Sequence, residues 1–467
     1  MFRFTSPFPQ SPPPGVVSRT VSRPKTDDDE PARYGRWFWL TYASNTAVMT
    51  AVSLLFRYAD FVHALKGTEL DLGWIVGVGM FGSLLMRLAQ GVGIDRYGPR
   101  QVWLWSTALF VVTCVAHLWV ERIDTPFVYV LRVVYTVSVA GIFGSSITYV
   151  SRSASVARMA ETIGLLGTSG FVGMVLGTYL GDVLCGVGSP DRVHLNRMFL
   201  AAAGMGAFSL VLAALATRGQ IRPAARRQLP VFWVLRRYHP GSILLVGVAM
   251  GFGIGLPGIF LRAFAADLGI PKIAMFFAVY SPMAFGTRLA TRRLPSRIGV
   301  RPMILAGLGC LVASMLLYLP IRYQWQFVIP AIFLGAAHAM LFPAVMAGGS
   351  AQFPVRYRGL STTLMLAMFD LGNLVGAPLV GAILHGAREI GWPPWTTMFV
   401  SVAVLLALIG VYYAISSRKS PVGRVMDPAD FNDEDEDAAI SGSPLAAPVN
   451  GHPQASADCV IDERRKM

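Results

Sequence analysis

The sequence predicts an all-α integral membrane protein of twelve transmembrane helices in two pseudo-symmetric six-helix bundles. Three observations lead there. Of 467 residues, 54% are hydrophobic and only 14% charged, where a soluble protein has about a quarter charged. The apolar residues gather in runs that match a bilayer core about 30 Å thick, which takes about 20 helical residues. One phrase is also written twice: RLAQGVGIDRYGPR from Arg87 and RLATRRLPSRIGVR from Arg288, 201 positions apart and identical at six of fourteen positions.

Measured against the bilayer, the apolar runs predict spans at 37–62, 73–92, 101–120, 126–150, 160–182, 197–217, 241–263, 273–291, 302–320, 326–348, 360–384 and 395–416. Arginine and lysine orient them. The loops after spans 2, 4, 6, 8 and 10 hold sixteen, among them Arg96, Arg100, Arg152, Arg158, Arg222 and Arg356; the opposite loops hold seven. Basic residues stay on the cytoplasmic side, so both termini are expected there, with the protein multi-pass in the cell membrane. The organisation that follows is a cytoplasmic N-tail (1–36), a first bundle (37–217), a basic linker (218–240), a second bundle (241–416) and a C-tail (417–467). Both tails are rich in Pro, Ser and charge, a disordered composition, and the N-tail lacks the apolar core of a signal peptide.

Several function classes fall away. A net charge of +14 invites nucleic acid, but no basic block with interleaved aromatics supports it, and the arginines sit in short loops between helices. Cys114, Cys185, Cys310 and Cys459 are scattered without metal-like spacing or a disulfide framework. Neither a phosphate-binding P-loop nor a His-Glu-x-x-His pair is present, so an ATP-driven pump, a zinc enzyme and a resident cofactor are not expected.

The repeat carries more. Gly67 precedes Arg87 by 20 residues and Gly269 precedes Arg288 by 19; Arg158 opens span 5 and Arg358 span 11; Thr178 and Gly181 match Pro378 and Gly381. Six spans per copy is even, so the copies run parallel, related by an axis along the membrane normal. Such repeats place a substrate site between the halves near the midplane.

Over residues 37–416 the chain resembles the major facilitator superfamily. The loop between spans 2 and 3, Gly91-x-x-x-Asp95-Arg96-x-Gly98-x-Arg100, is similar to that family's signature loop, and its echo has Ser296 in place of the acid. The resemblance implies alternating access without enzymatic chemistry, with Asp95 latching the cytoplasmic side. A helix N-terminus, here that of span 11, attracts such an anion. The alternative leaves Arg96 and Arg100 as ordinary positive-inside charges. Arg132 resembles the family's helix-4 arginine, which implies a role with substrate or protons, although Thr136 stands where the pattern has Gly; lying near the outer face, Arg132 could instead snorkel. Gly173-x-x-x-Gly177-Thr178-x-x-Gly181 resembles the antiporter motif of exporting members, with Thr178 where that motif has Pro. Close helix packing alone would also explain these glycines.

Intramembrane charge marks function by default. Asp370 stands alone near the middle of an apolar run, suited to reversible protonation or a cationic group, or else paired with an arginine. Arg87 and Arg288, equivalent in the repeat, suggest a shared place at the inner gate. His338 could titrate or be hydrogen-bonded structure, and Asn45 and Tyr280 are candidate cavity donors. The functional expectation is a proton-coupled transporter of a small organic solute, acting as a monomer in the bilayer, with efflux favoured. The alternatives are proton-linked uptake of an organic anion through Arg132, and a transporter-like sensor or scaffold signalling through its tails.

Overall fold

The computed structural model describes residues 35–153, 159–186, 190–219, 231–238, 240–291, 294–353 and 357–419. In the first half, α1 (Arg36–Leu54) and α2 (Tyr58–Ala64), joined by one 3-10 turn, make the first span. Spans 2 and 3 form a single run, α3 (Glu69–Ala116), followed by α4 (Pro126–Ser153), α5 (Met159–Cys185) and α6 (Arg192–Ala216). A short α7 (Val231–Arg237) leads into α8 (Ile243–Asp267), α9 (Ala274–Thr291), α10 (Leu294–Ile298), α11 (Val300–Leu317), α12 (Val328–Ser350), α13 (Arg358–Glu389) and α14 (Pro394–Lys419). Ten stretches are long and apolar enough by composition to cross a membrane. The first span and α9, diluted by residues such as Asn45, Thr46, Ser281 and Arg288, bring the number among the described residues to twelve.

The repeated phrase has a backbone reason. Inside α3, Gly98 takes φ 82° and ψ 156°, turning span 2 into span 3 just before Pro99. Its counterpart Gly299 takes φ 87° and ψ 169° between α10 and α11. That region is essentially closed to side chains, so both copies of Arg-x-Gly-x-Arg keep the glycine. Arg301 ties the second turn down by donating to Ser417 Oγ and the Ala414 carbonyl, both at 2.8 Å.

Packing repeats as well. A Cβ at Gly173 or Gly177 of α5 would lie 2.6 or 2.2 Å from the Thr46 or Thr50 carbonyl of α1; one at Gly372 of α13 would lie 2.1 Å from the Val248 carbonyl of α8. Bare backbone is what lets these helices touch. Gly181 is looser, its nearest neighbour the Arg57 side chain at 3.4 Å. The halves meet where α3 crosses α13: a Cβ at Gly73 would lie 2.5 Å from the Ala377 carbonyl, and one at Gly77 as close to Pro378.

The expected linker is not all linker. Val234 of α7 and Tyr238 pack with Phe353 and Tyr357 of the second half in a small apolar cluster of their own. The tails before residue 35 and beyond 419 lie outside the described residues, as do 220–230. So do the side chains of Asp95, Ser296 and Arg358, and Gly91 with them; Arg96, which is exposed, sets its guanidinium 5.4 Å from the Tyr97 ring.

Candidate functional site

The first and last described residues, 35 and 419, lie at one end of the bundle, here the terminal end; the other is the distal end. Between the halves lies a cavity of about 360 Å³. Its wall is mostly apolar: Met49, Val76, Met80 and Phe143 come from the first half, Ile254, Phe277 and Phe369 from the second. The polar groups are few and come from α3, α4, α9, α12 and α13, as in sites where a small number of groups orient a ligand.

Asp370 of α13 is one, only 5% exposed. It accepts from Ser83 Oγ at 2.6 Å and from both Nε and Nη2 of Arg87, the latter at 3.2 Å. Ser83 and Arg87 stand one turn apart on α3, so a fork of donors from one half holds a carboxylate of the other. Of the two expectations for Asp370, the structure gives it an arginine partner. The repeat also puts Arg87 and Arg288 in equivalent places; their surroundings differ, for Arg288 is exposed on α9. Stepping back from Pro378 to Asp370 and equally from Thr178 leads to Gly170, so the first half offers Arg288 no matching acid.

Arg132 does not snorkel. It is 8% exposed, its guanidinium 4.5 Å from the Tyr58 ring and 4.8 Å from the Tyr135 ring. Its stem crosses α3 at Gly79, where a Cβ would lie 2.5 Å from Arg132 Cγ. Thr136, one turn along α4, donates to the Gly79 carbonyl and binds the same two helices. Across the cavity the Tyr280 hydroxyl pairs with His338 Nδ1, joining α9 to α12. Asn45 is buried in α1 away from this wall, its Oδ1 without a partner among the described residues. Asn373, one turn beyond Asp370, also lines the cavity, and sequence reasoning passed over it, as it did Ser83.

The distal end holds the larger surprise. Arg57 Nε donates to Asp60 Oδ2 at 2.7 Å and its Nη1 to Asp182 Oδ1 at 3.1 Å; Arg262 Nε donates to both Asp60 oxygens at 2.8 and 2.9 Å. Asp182 Oδ2 also accepts from the Ile273 and Ala274 amides at 2.9 and 2.7 Å, closing the N-terminus of α9. These four side chains are 1–5% exposed and their formal charges cancel. Three come from the first half and Arg262 from the second. Arg57 and Asp60 were legible as opposite charges three apart within the first span. Seven residues before Gly67 is Asp60, and seven before Gly269 is Arg262; the pair joins two copies of one repeat position.

A second tie stands beside it. Arg388 of α13 bonds Glu69 of α3 and lies 3.6 Å from Asp267, which also accepts from Trp395 Nε1 at 2.6 Å. Just beneath, Phe56 and Phe277 meet across the halves with ring centroids 5.0 Å apart, roofing the cavity.

A family profile described as Major Facilitator Superfamily matches residues 38–324 and 243–433. The multidrug resistance protein MdtG of Enterobacter lignolyticus is 25% identical over 295 residues, 60% of this chain and 66% of that protein. A putative tartrate transporter of Agrobacterium vitis is 28% identical over 138 residues, 29% of this chain and 30% of its own. The chain thus spans less than two thirds of the length of either. The crystal structure of the nucleoside transporter NupG aligns with a TM-score of 0.66 at 13% identity, covering 82% of this chain and 99% of NupG; that likeness is one of fold.

Proposed function

Because the chain belongs to the Major Facilitator Superfamily, transporters of small solutes and not enzymes, we propose that it moves a small organic solute by alternating access, coupled to protons at Asp370. The observation that carries this is the tie inside the cavity: a carboxylate of the second half held by Ser83 and Arg87 of the first. In low dielectric the attraction between guanidinium and carboxylate is strong. Protonation of Asp370 cancels it and frees α3 from α13. A proton then acts on the same contact that the halves must change to expose the cavity on the other side.

On the distribution of arginine and lysine, the terminal end faces the cytoplasm. The distal clusters and the Phe56–Phe277 roof then hold the cavity shut to the outside, and Asp95 is the latch of the opposite state. The apolar wall and the likeness to MdtG favour efflux. Arg132, a cation in the cavity with no acid beside it, favours the second reading, proton-linked uptake of an organic anion.

The test is thermal stability of the purified protein across a library of metabolites and drugs at pH 5.5 and 7.5, followed by flux of each hit into liposomes. A ligand at 100 times its dissociation constant adds about 2.7 kcal/mol. Asp370→Asn is expected to keep solute exchange and lose accumulation driven by a pH gradient. Gradient-driven accumulation that survives the substitution overturns the coupling site, and the direction of the gradient that drives it separates efflux from uptake.

A further inference from the structure

Arg132 poses a problem that the rest of the fold leaves open. A guanidinium keeps its charge in any protein, and a buried charge without a partner costs several kcal/mol. The tyrosine faces recover part of this as cation–π contacts. Such contacts leave the N–H groups unbonded, and Arg132 Nε is sealed from solvent with no acceptor among the described residues. The nearby acids are committed elsewhere: Asp370 to Arg87 and Ser83, Asp60 and Asp182 to Arg57 and Arg262. Arg132 nonetheless lines the cavity, and Gly79 is kept bare where its stem passes.

We propose that the cavity binds an amphipathic organic monoanion, a carboxylate on an apolar body, with the carboxylate on Arg132. The charge follows from the lining: Arg87 is neutralised by Asp370, so Arg132 is the lining cation left with no acid. A single uncompensated cation suits a single negative charge, and a second carboxylate would meet apolar wall at a desolvation cost. The body follows from Met49, Val76, Met80, Phe143 and Phe277, which accept aliphatic or aromatic groups, while of the polar lining Ser83, Thr136, Tyr280 and His338 are already hydrogen-bonded within the protein. The size follows from about 360 Å³, the lower part of the range for small-molecule pockets of about 300–1,000 Å³. Gly79 is then a positioning residue, which sets where the guanidinium stands without touching the ligand.

This rests on the transporter reading above, and the experiment separates the two. The full chain in lipid nanodiscs is melted with straight-chain and phenyl-substituted alkanoates of six to ten carbons, with their uncharged amides and with the matching amines. Carboxylates are expected to raise the melting temperature with at least tenfold higher affinity than amides or amines. Arg132→Gln abolishes the shift, Arg132→Lys keeps a weaker one, and Gly79→Ala weakens it while the guanidinium remains. Asp370→Asn leaves Arg87 uncompensated and tightens the carboxylates. No shift from any carboxylate, equal shifts from the amides, or full carboxylate binding in Arg132→Gln overturns the proposal. If uncharged or cationic solutes instead bind with a pH dependence lost in Asp370→Asn, the anion class fails and the coupling stands. If carboxylates bind through Arg132 but their gradient-driven transport survives Asp370→Asn, the coupling fails and the anion class stands.

Discussion

Two of the ionic contacts that join the halves are built differently. At the distal end, two arginines and two aspartates cancel one another and are sealed, each side chain at most 5% exposed. In the middle, one aspartate meets one arginine at the edge of the cavity, and the Arg87 side chain keeps 16% of its surface. A sealed, balanced cluster gains nothing from a passing proton and comes apart only as a unit, when helix ends separate. A pair beside the cavity can exchange its partner for a proton or a ligand. In the proposed mechanism the first is a lock and the second a trigger, and the difference lies in access rather than in the chemistry of the groups.

Breaking the lock should have the largest effect. Asp60→Asn leaves two buried arginines short of an acid, a change that costs about 3–5 kcal/mol. It is expected to lower the melting temperature sharply and to expose a cysteine placed at Phe56 to reagents from the distal side. An unchanged melt would show that the cluster holds nothing. The trigger should be milder: Asp370→Asn removes charged hydrogen bonds worth about 1.5–3 kcal/mol each, offset where Arg87 meets the cavity, and its clearest readout is loss of pH-driven flux. A backbone contact sharpens the comparison between the ends. Gly177→Ala forces a methyl against the Thr50 carbonyl and is expected to cost about 1–3 kcal/mol. Gly164→Ala, toward the terminal end of the same helix, meets open space and should leave the melt unchanged or slightly raised. Smallest is the exposed pair Arg122–Asp124 in the distal loop between α3 and α4. Hydrogen bonding to Arg122 holds the Asp124 carboxylate below its ordinary range. Its contribution is therefore present above the unfolded value of about 3.9 and lost as pH falls through the folded value. Being solvated, Asp124→Asn should superimpose on the parent in melts from pH 7 to pH 3.

Much of the architecture was legible because a bilayer measures every span with one ruler and leaves arginine to the loops. The first span shows the limit: predicted at 37–62, it is two helices hinged by a 3-10 turn at Leu55–Arg57, which places Arg57 where it can reach Asp182. Asp370 stood out as a lone acid in an apolar run. Its partner did not, because which face of α3 looks at α13 depends on close approach at Gly73 and Gly77, and spacing along one helix does not contain that. Asp182 and Arg262 were passed over for a similar reason. Each lies near a span end, where charge is ordinary, and only the meeting of four helix ends makes them a cluster.

The pair of Asp60 and Arg262 has a consequence for how the chain is put together. Two copies of one position touch only on the axis that relates them. Were the molecule a dimer of two first halves, that point would hold two aspartates, and in a dimer of second halves two arginines; either repels in a site sealed from water. Each half is thus the other's required complement, and exchanging or duplicating one of them would undo the joint.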